Sequence, residues 1–179
     1  EGELDEAHAP MSITVRLTDE VDVSRGDMMV RADDMPEVTR RLEAHVVWMS
    51  ETPLDPDRAY FLKHTTQTVR ATIGKVTGKV DLETLCEEPT KELQLNDIGR
   101  VEILCNQHLM VDPYEKNRHT GAFVLIDELS NNTVAAGMIV RGIPDDTQRA
   151  DQGSASRISL EQREKRLGQR GLAVCFSGV

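Results

Sequence analysis

The side chains able to do chemistry are scattered along this chain. His45, His64, His108 and His119 carry the imidazoles a metal ion would use, but no two stand three or four residues apart on one element, the spacing that converges ligands. His64, which follows Tyr60-Phe61-Leu62-Lys63 at a strand end, reads as a hydrogen-bonded residue of the fold. Glu87-Glu88 and Asp145-Asp146 are adjacent carboxylates that could be drawn as acid–base pairs. Neighbours on extended chain point to opposite sides, so both pairs read as solvated charge. Ser130 offers a hydroxyl nucleophile, but Ser130-Asn131-Asn132 is a turn before a strand with no base in view. Cys86, Cys105 and Cys175 are odd in number, far apart and free of C-x-x-C spacing. They suggest neither a disulfide framework nor a zinc site, and read as buried free thiols in a reducing cytosol. No catalytic residue, metal ligand or cofactor is assigned within the chain.

The elements that must position these residues are β-strands. Six β-rich runs, at 42–50, 58–64, 68–80, 98–106, 121–129 and 132–140, are separated by Pro, Asp, Asn and Gly signals. Six strands at that spacing predict an all-β fold, a closed antiparallel barrel over 37–143. Ala44, Val46 and Trp48 share one parity, which predicts a buried Trp48. In the third run Val69, Ala71 and Ile73 are odd-numbered, whereas the next apolar residues, Val76 and Val80, are even. That change of parity needs an inserted residue, so a β-bulge is expected at Gly74-Lys75. Residues 81–97 carry Leu82, Leu85 and Cys86 at helical spacing but are broken by Pro89, which predicts an irregular crossover with a turn of helix. Residues 112–117, "DPYEKN", read as a turn-rich loop.

The flanks differ in character. Residues 1–36 carry 10 acidic and 3 basic side chains, 37–143 carry 16 and 12, and 144–179 carry 5 and 6, within a total charge of −10. The acidic balance and an aromatic content of 3% argue against nucleic acid, which selects basic stripes and stacking rings. No apolar run is long enough to span a bilayer and "EGELDEAHAP" lacks the pattern of a signal peptide, so a cytoplasmic protein without a membrane partner is expected. "SITVRL" alternates Ile13, Val15 and Leu17 with polar residues, and a second apolar stretch follows a turn at Ser24-Arg25-Gly26-Asp27. Two short strands without partners resemble the end of a barrel. Arg25-Gly26-Asp27 reads as that turn and not as an adhesion motif, its glycine permitting positive φ. Residues 144–156 are a polar linker. A helix follows, with Ser159 and Gln162 as a capping box and Gly168 as its stop. Then come a strand from Leu172 to Phe176 and Ser177-Gly178-Val179. A helix, a strand and a glycine turn resemble the start of a P-loop domain, with Gly178 where its first glycine would stand.

Longer stretches carry a more specific likeness. "RLGQRGLAVCFSGV" (166–179) resembles the start of adenylylsulfate kinase. "HAPMSITVRLTDEVDVSRGDMMV" (8–30), "VVWMSETPLDPDRAYFLKHTTQTVRATI" (46–73) and "AFVLIDELSNNTVAAGMI" (122–139) resemble the carboxy-terminal half of the large subunit of sulfate adenylyltransferase. That family is a GTPase of the elongation-factor Tu type, in some bacteria fused to adenylylsulfate kinase. The resemblance implies a Greek-key barrel like the third domain of elongation factor Tu. Residues 1–36 would then be the end of the second barrel, 37–143 the third, 144–156 the linker, and 157–179 the start of the kinase-like domain, cut before its phosphate loop. It implies a noncatalytic module of an enzyme that makes adenylylsulfate from ATP and sulfate with GTP and magnesium. Its partners would be its own GTPase domain and the small catalytic subunit. The alternative is a barrel of a translation-type GTPase that binds tRNA or ribosome. The family's GTP-binding P-loop and N-K-x-D motif do not occur in this sequence, so no nucleotide-binding residue carries over.

Overall fold

A computed structural model of the chain describes residues 4, 6–8, 10–84 and 86–144. The features expected beyond them, including Asp145-Asp146, the helix near 160–167, Cys175 and Gly178, lie outside the described residues. Seven strands run in chain order: β1 (Glu37–Trp48), β2 (Ala59–His64), β3 (Gln67–Val80), β4 (Glu87–Glu88), β5 (Ile98–Val111), β6 (Ala122–Asp127) and β7 (Thr133–Ile143). One helical turn, α1 (Arg118–Gly121), precedes β6.

All pairings between these strands are antiparallel, in the order β2-β6-β7-β1-β5-β3-β4, and a further β2–β3 ladder closes six of them into a barrel. Closure removes the sheet edges that six short strands would otherwise expose. Inward positions alternate as a period of two requires. Leu42, Ala44, Val46 and Trp48 of β1 meet Tyr60 and Leu62 of β2, Val101 and Ile103 of β5, and Leu125 of β6 in one buried core. The register shift between Ile73 and Lys75 against β5 is the bulge expected from the parity change. Another β-bulge lets β5 run farther than its apolar pattern suggested. Thr39 faces Leu109 while Arg41 faces Leu104, so the polar residues Asn106, Gln107 and His108 bulge out before Leu109 and Val111 return to the core. Gly137 of β7 faces Phe123 of β6. A Cβ there would lie 2.1 Å from the Phe123 ring, which occupies the space above the glycine.

Three local expectations are corrected. Residues 81–97 form turns at 82–84 and the two-residue strand β4, not a turn of helix, and Cys86 in that connection is exposed where a buried thiol was expected. The 112–117 segment is the turn-rich loop expected, and it leads into α1, capped by Asn117, whose Oδ1 accepts from His119 N at 3.1 Å. No ladder forms within the described part of 4–36: Met11, Ile13, Val15, Val21 and Val23 are exposed. A strand needs a neighbour to bond its backbone, and alternation alone does not supply one.

Candidate interaction surface

One end of the barrel holds a cleft of about 570 Å³ between the end of β1, the start of β2 and the β6–β7 turn, lined in part by Trp48, Thr52, Arg58, Asp127 and Ser130. Its polar groups are engaged with one another. Asp127 Oδ1 accepts from Leu129 N at 3.0 Å, Ser130 N at 2.7 Å and Ser130 Oγ at 2.9 Å, and Asp127 Oδ2 lies 3.1 Å from Arg58 Nη1. These bonds, led by the Ser130 amide and opposed by burial, hold the Asp127 carboxyl below its usual range. The carboxylate therefore pins the turn, with Asn131 at φ 57°. The Ser130 hydroxyl donates to this carboxylate as one of the bonds that hold the turn. Trp48 Nε1 donates to Thr52 O at 2.8 Å and Tyr60 Oη to Asp55 O at 3.1 Å. The cleft is a braced corner of the fold.

The other candidates are likewise engaged or apart. His64 is buried, and its Nε2 faces Thr120 O at 2.7 Å. A carbonyl only accepts, so Nε2 carries the proton. Among the described residues no group of three or more His, Cys, Asp and Glu is arranged to hold a metal ion. Glu87 lies 3.5 Å from Arg100 Nη1, while β4 pairs Glu88 with Lys79 and Glu87 with Val80. Burial pushes the Cys105 thiol up to about 12, which leaves it a small apolar filler.

What the barrel does present is an outer surface of two kinds. Over β7, β1, β5 and β4 it is ionic. Glu43 receives Arg141 Nε at 2.5 Å and Arg100 Nη2 at 2.6 Å, and Arg41 pairs with Glu102 at 3.6 Å. Burial acts most strongly on the Glu43 carboxyl and pushes it up. The hydrogen bonds and charges of Arg141 and Arg100 together outweigh it and hold the group below its usual range. Over β2, β6, β7 and β1 the outer surface is largely apolar, with the exposed Lys63 opposite Val124. Phe61 pairs with Ile126, Val124 with Ala136, and Val47 with Ala136, and all five are half-buried on the outside of the barrel. A sheet with one wet face alternates apolar and polar residues; β6, Ala-Phe-Val-Leu-Ile-Asp, is apolar on both faces, the pattern of a strand covered on both sides. The sequence signal for it was the unbroken run 122–126.

A family model described as "GTP-eEF1A C-terminal domain-like" matches residues 41–140. The chain belongs to this family. The bifunctional enzyme CysN/CysC of Rhodopirellula baltica is 40% identical over 189 residues, 100% of this chain and 29% of its own length. Sulfate adenylyltransferase subunit 1 of Bacteroides fragilis is 46% identical, over 78% of this chain and 29% of its own length. The same subunit of Alteromonas mediterranea is 41% identical, over 83% and 31%. The chain thus spans about 30% of the length of these curated relatives. Among solved structures, sup35 complexed with GDP superposes with a TM-score of 0.57 at 17% identity, over 63% of this chain and 28% of that one, which shows the shared barrel fold alone. The likeness read from residues 8–30, 46–73 and 122–139 is therefore the right one: this GTP-eEF1A C-terminal domain-like barrel is similar in sequence to sulfate adenylyltransferase subunit 1 and CysN/CysC.

Proposed function

We propose that the chain is a noncatalytic β-barrel part of a sulfate-activating enzyme, one that forms adenylylsulfate from ATP and sulfate with GTP hydrolysis and is joined to an adenylylsulfate kinase. The observation that carries this reading is the 40–46% identity to sulfate adenylyltransferase subunit 1 and CysN/CysC across the barrel and its flanks. The solved translation-type structure, sup35, is 17% identical and supports the fold alone. In this reading residues 1–36 are the end of a preceding barrel, 144–156 a linker and 157–179 the start of the kinase-like part, in a cytoplasmic protein. GTP, ATP and magnesium belong to other parts of the enzyme. The sequence lacks the GTP-binding phosphate loop and the guanine-specific N-K-x-D motif, and the described acidic groups Asp127 and Glu43 are engaged in ion pairs.

The barrel's work is then positional, with the apolar outer face of β2, β6, β7 and β1 meeting the GTPase part and the small catalytic subunit. Grafting supplies the test. The matching stretch of the Bacteroides fragilis subunit is replaced by residues 37–143, and GTP-dependent adenylylsulfate formation with the small subunit is measured. We expect activity within about tenfold of the parent. A chimera that folds and binds GTP but neither assembles nor turns over would contradict the assignment.

A further inference from the structure

We propose that residues 24–36 form a strap clasped to one end of the barrel at two points, with Lys116 as the charge that closes it. The inference rests on the contacts of these residues and stands whether or not the enzyme assignment above is correct.

The first point is the turn at Ser24–Asp27. Asp27 N donates to Ser24 O at 3.1 Å and Ser24 N to Asp27 Oδ2 at 2.8 Å, which sets Gly26 at φ +110°. The turn rests on the β2–β3 connection: Gln67 Nε2 donates to Gly26 O at 3.2 Å and Arg25 Nε to Thr66 O at 3.3 Å. A Cβ at position 26 would lie 2.5 Å from Gln67 Nε2 and 2.6 Å from Gln67 Cγ. Glycine is thus needed both for its backbone angle and for the approach of the barrel. The Arg-Gly-Asp sequence serves as a docking turn.

The second point is ionic. Lys116 Nζ lies 2.5 Å from Asp34 Oδ1 on the strap and 3.0 Å from Asp112 Oδ1 on the barrel. Behind it Thr120 Oγ1 donates to Asp112 Oδ2 at 2.8 Å, and Thr120 O accepts from His64 Nε2 at 2.7 Å. The clasp is therefore tied through Asp112 and Thr120 to a buried residue of β2. Between the two points lies a cleft of about 330 Å³ lined by Met28, Val30 and Pro36 of the strap with Asp112 and Thr120 of the barrel.

An isolated exposed ion pair contributes little, because water and salt screen it. Here the ammonium separates two carboxylates, Asp34 on the strap and Asp112 on the barrel. Without Lys116, Asp34 would face Asp112 as a like charge. The hydrogen bonds of Asp34 and then Asp112 hold the Lys116 ammonium above its ordinary range, so the clasp stays charged throughout the neutral range. With both points closed, the chain enters β1 at Glu37 in one direction instead of swinging about it.

Amide hydrogen exchange of the whole chain, resolved by residue, tests this. The probes are the amides of Ser24, Asp27 and Asp34, whose bonds lie within the strap's own turns and lose the barrel's support when the strap swings away, with Leu62 and Ile103 in the barrel as controls. Lys116→Gln is expected to speed exchange at the three probes at least tenfold and to leave the controls unchanged. Lys116→Arg should stay near wild type, and raising salt from about 0.05 M to 1 M, where the Debye length falls to ~3 Å, should move wild type toward Lys116→Gln. Gly26→Val should release Ser24 and Asp27 by itself. Probes indifferent to both Lys116→Gln and salt would overturn the clasp. So would controls that speed up as much as the probes, since Lys116 would then support the barrel as a whole.

Discussion

Replacing Trp48 by alanine removes the largest fully buried side chain of the core. The ring is 2% exposed, crosses Tyr60 edge-on with centroids 5.9 Å apart at 85°, and donates from Nε1 to Thr52 O. Truncating a core aromatic costs about 3–5 kcal/mol. The edge-on pair (about 0.5–1.5 kcal/mol) and the lost hydrogen bond (about 1 kcal/mol) place Trp48→Ala in the upper part of that range, about 4–5 kcal/mol. Against the ~5–15 kcal/mol that holds a typical domain, such a loss takes the barrel to the edge of unfolding. Trp48→Phe keeps a ring against Tyr60 and forfeits the hydrogen bond and part of the volume, for about 1–2 kcal/mol. Urea denaturation followed by far-ultraviolet circular dichroism is the assay, because Trp48 is the only tryptophan and its fluorescence disappears with it. A loss below about 1 kcal/mol for Trp48→Ala, the scale of a surface change, would refute the placement of this ring in the core.

Gly137→Ala should destabilise the barrel by about 1–3 kcal/mol by driving a methyl into Phe123, and Phe123→Leu in the same chain should recover part of that loss in the same titration. Because the Glu43 carboxyl is held below its ordinary 4.5, it adds stability that is present above that pH and is lost as pH falls through the folded-state value; Glu43→Gln should flatten this acid limb in denaturation curves taken below about pH 4.5. Cys86 should react with a thiol reagent in the native protein while Cys105, buried and pushed up to about 12, reacts only on unfolding; peptide mapping after labelling distinguishes them, and native labelling of Cys105 would contradict its burial.

The strands and their inward faces were legible because the period of two survives in the sequence wherever one face meets the core, and the parity change after Ile73 even located a bulge. The far half of β5 was not legible, since Asn106, Gln107 and His108 interrupt the alternation at the place where the strand bulges. Residues 11–17 misled in the opposite sense. Their alternation is that of a strand, but a ladder needs a partner, and residue order does not report whether one is present. The partners of the site candidates were not legible: Ser130 bonds Asp127 across the β6–β7 turn and Glu87 pairs with Arg100 through strand order. The two-faced outer surface was half visible in the unbroken run 122–126. Its ionic half was hidden, because Glu43, Arg100 and Arg141 come together only through strand order. So was the clasp, which joins residues 82 positions apart.

The claim that this barrel acts by contact is tested most directly by sedimentation velocity of the chain mixed with the GTPase part and the small subunit of sulfate adenylyltransferase as separate polypeptides. We predict that the wild-type chain enters a faster-sedimenting complex. We also predict that Val124→Glu, which places a carboxylate between Ala136 and Lys63, its cross-strand neighbours on the outer face, and leaves the thermal melt of the barrel within a few degrees of wild type, stays free. A wild-type chain that stays free, or a Val124→Glu chain that assembles as well as wild type, would contradict it.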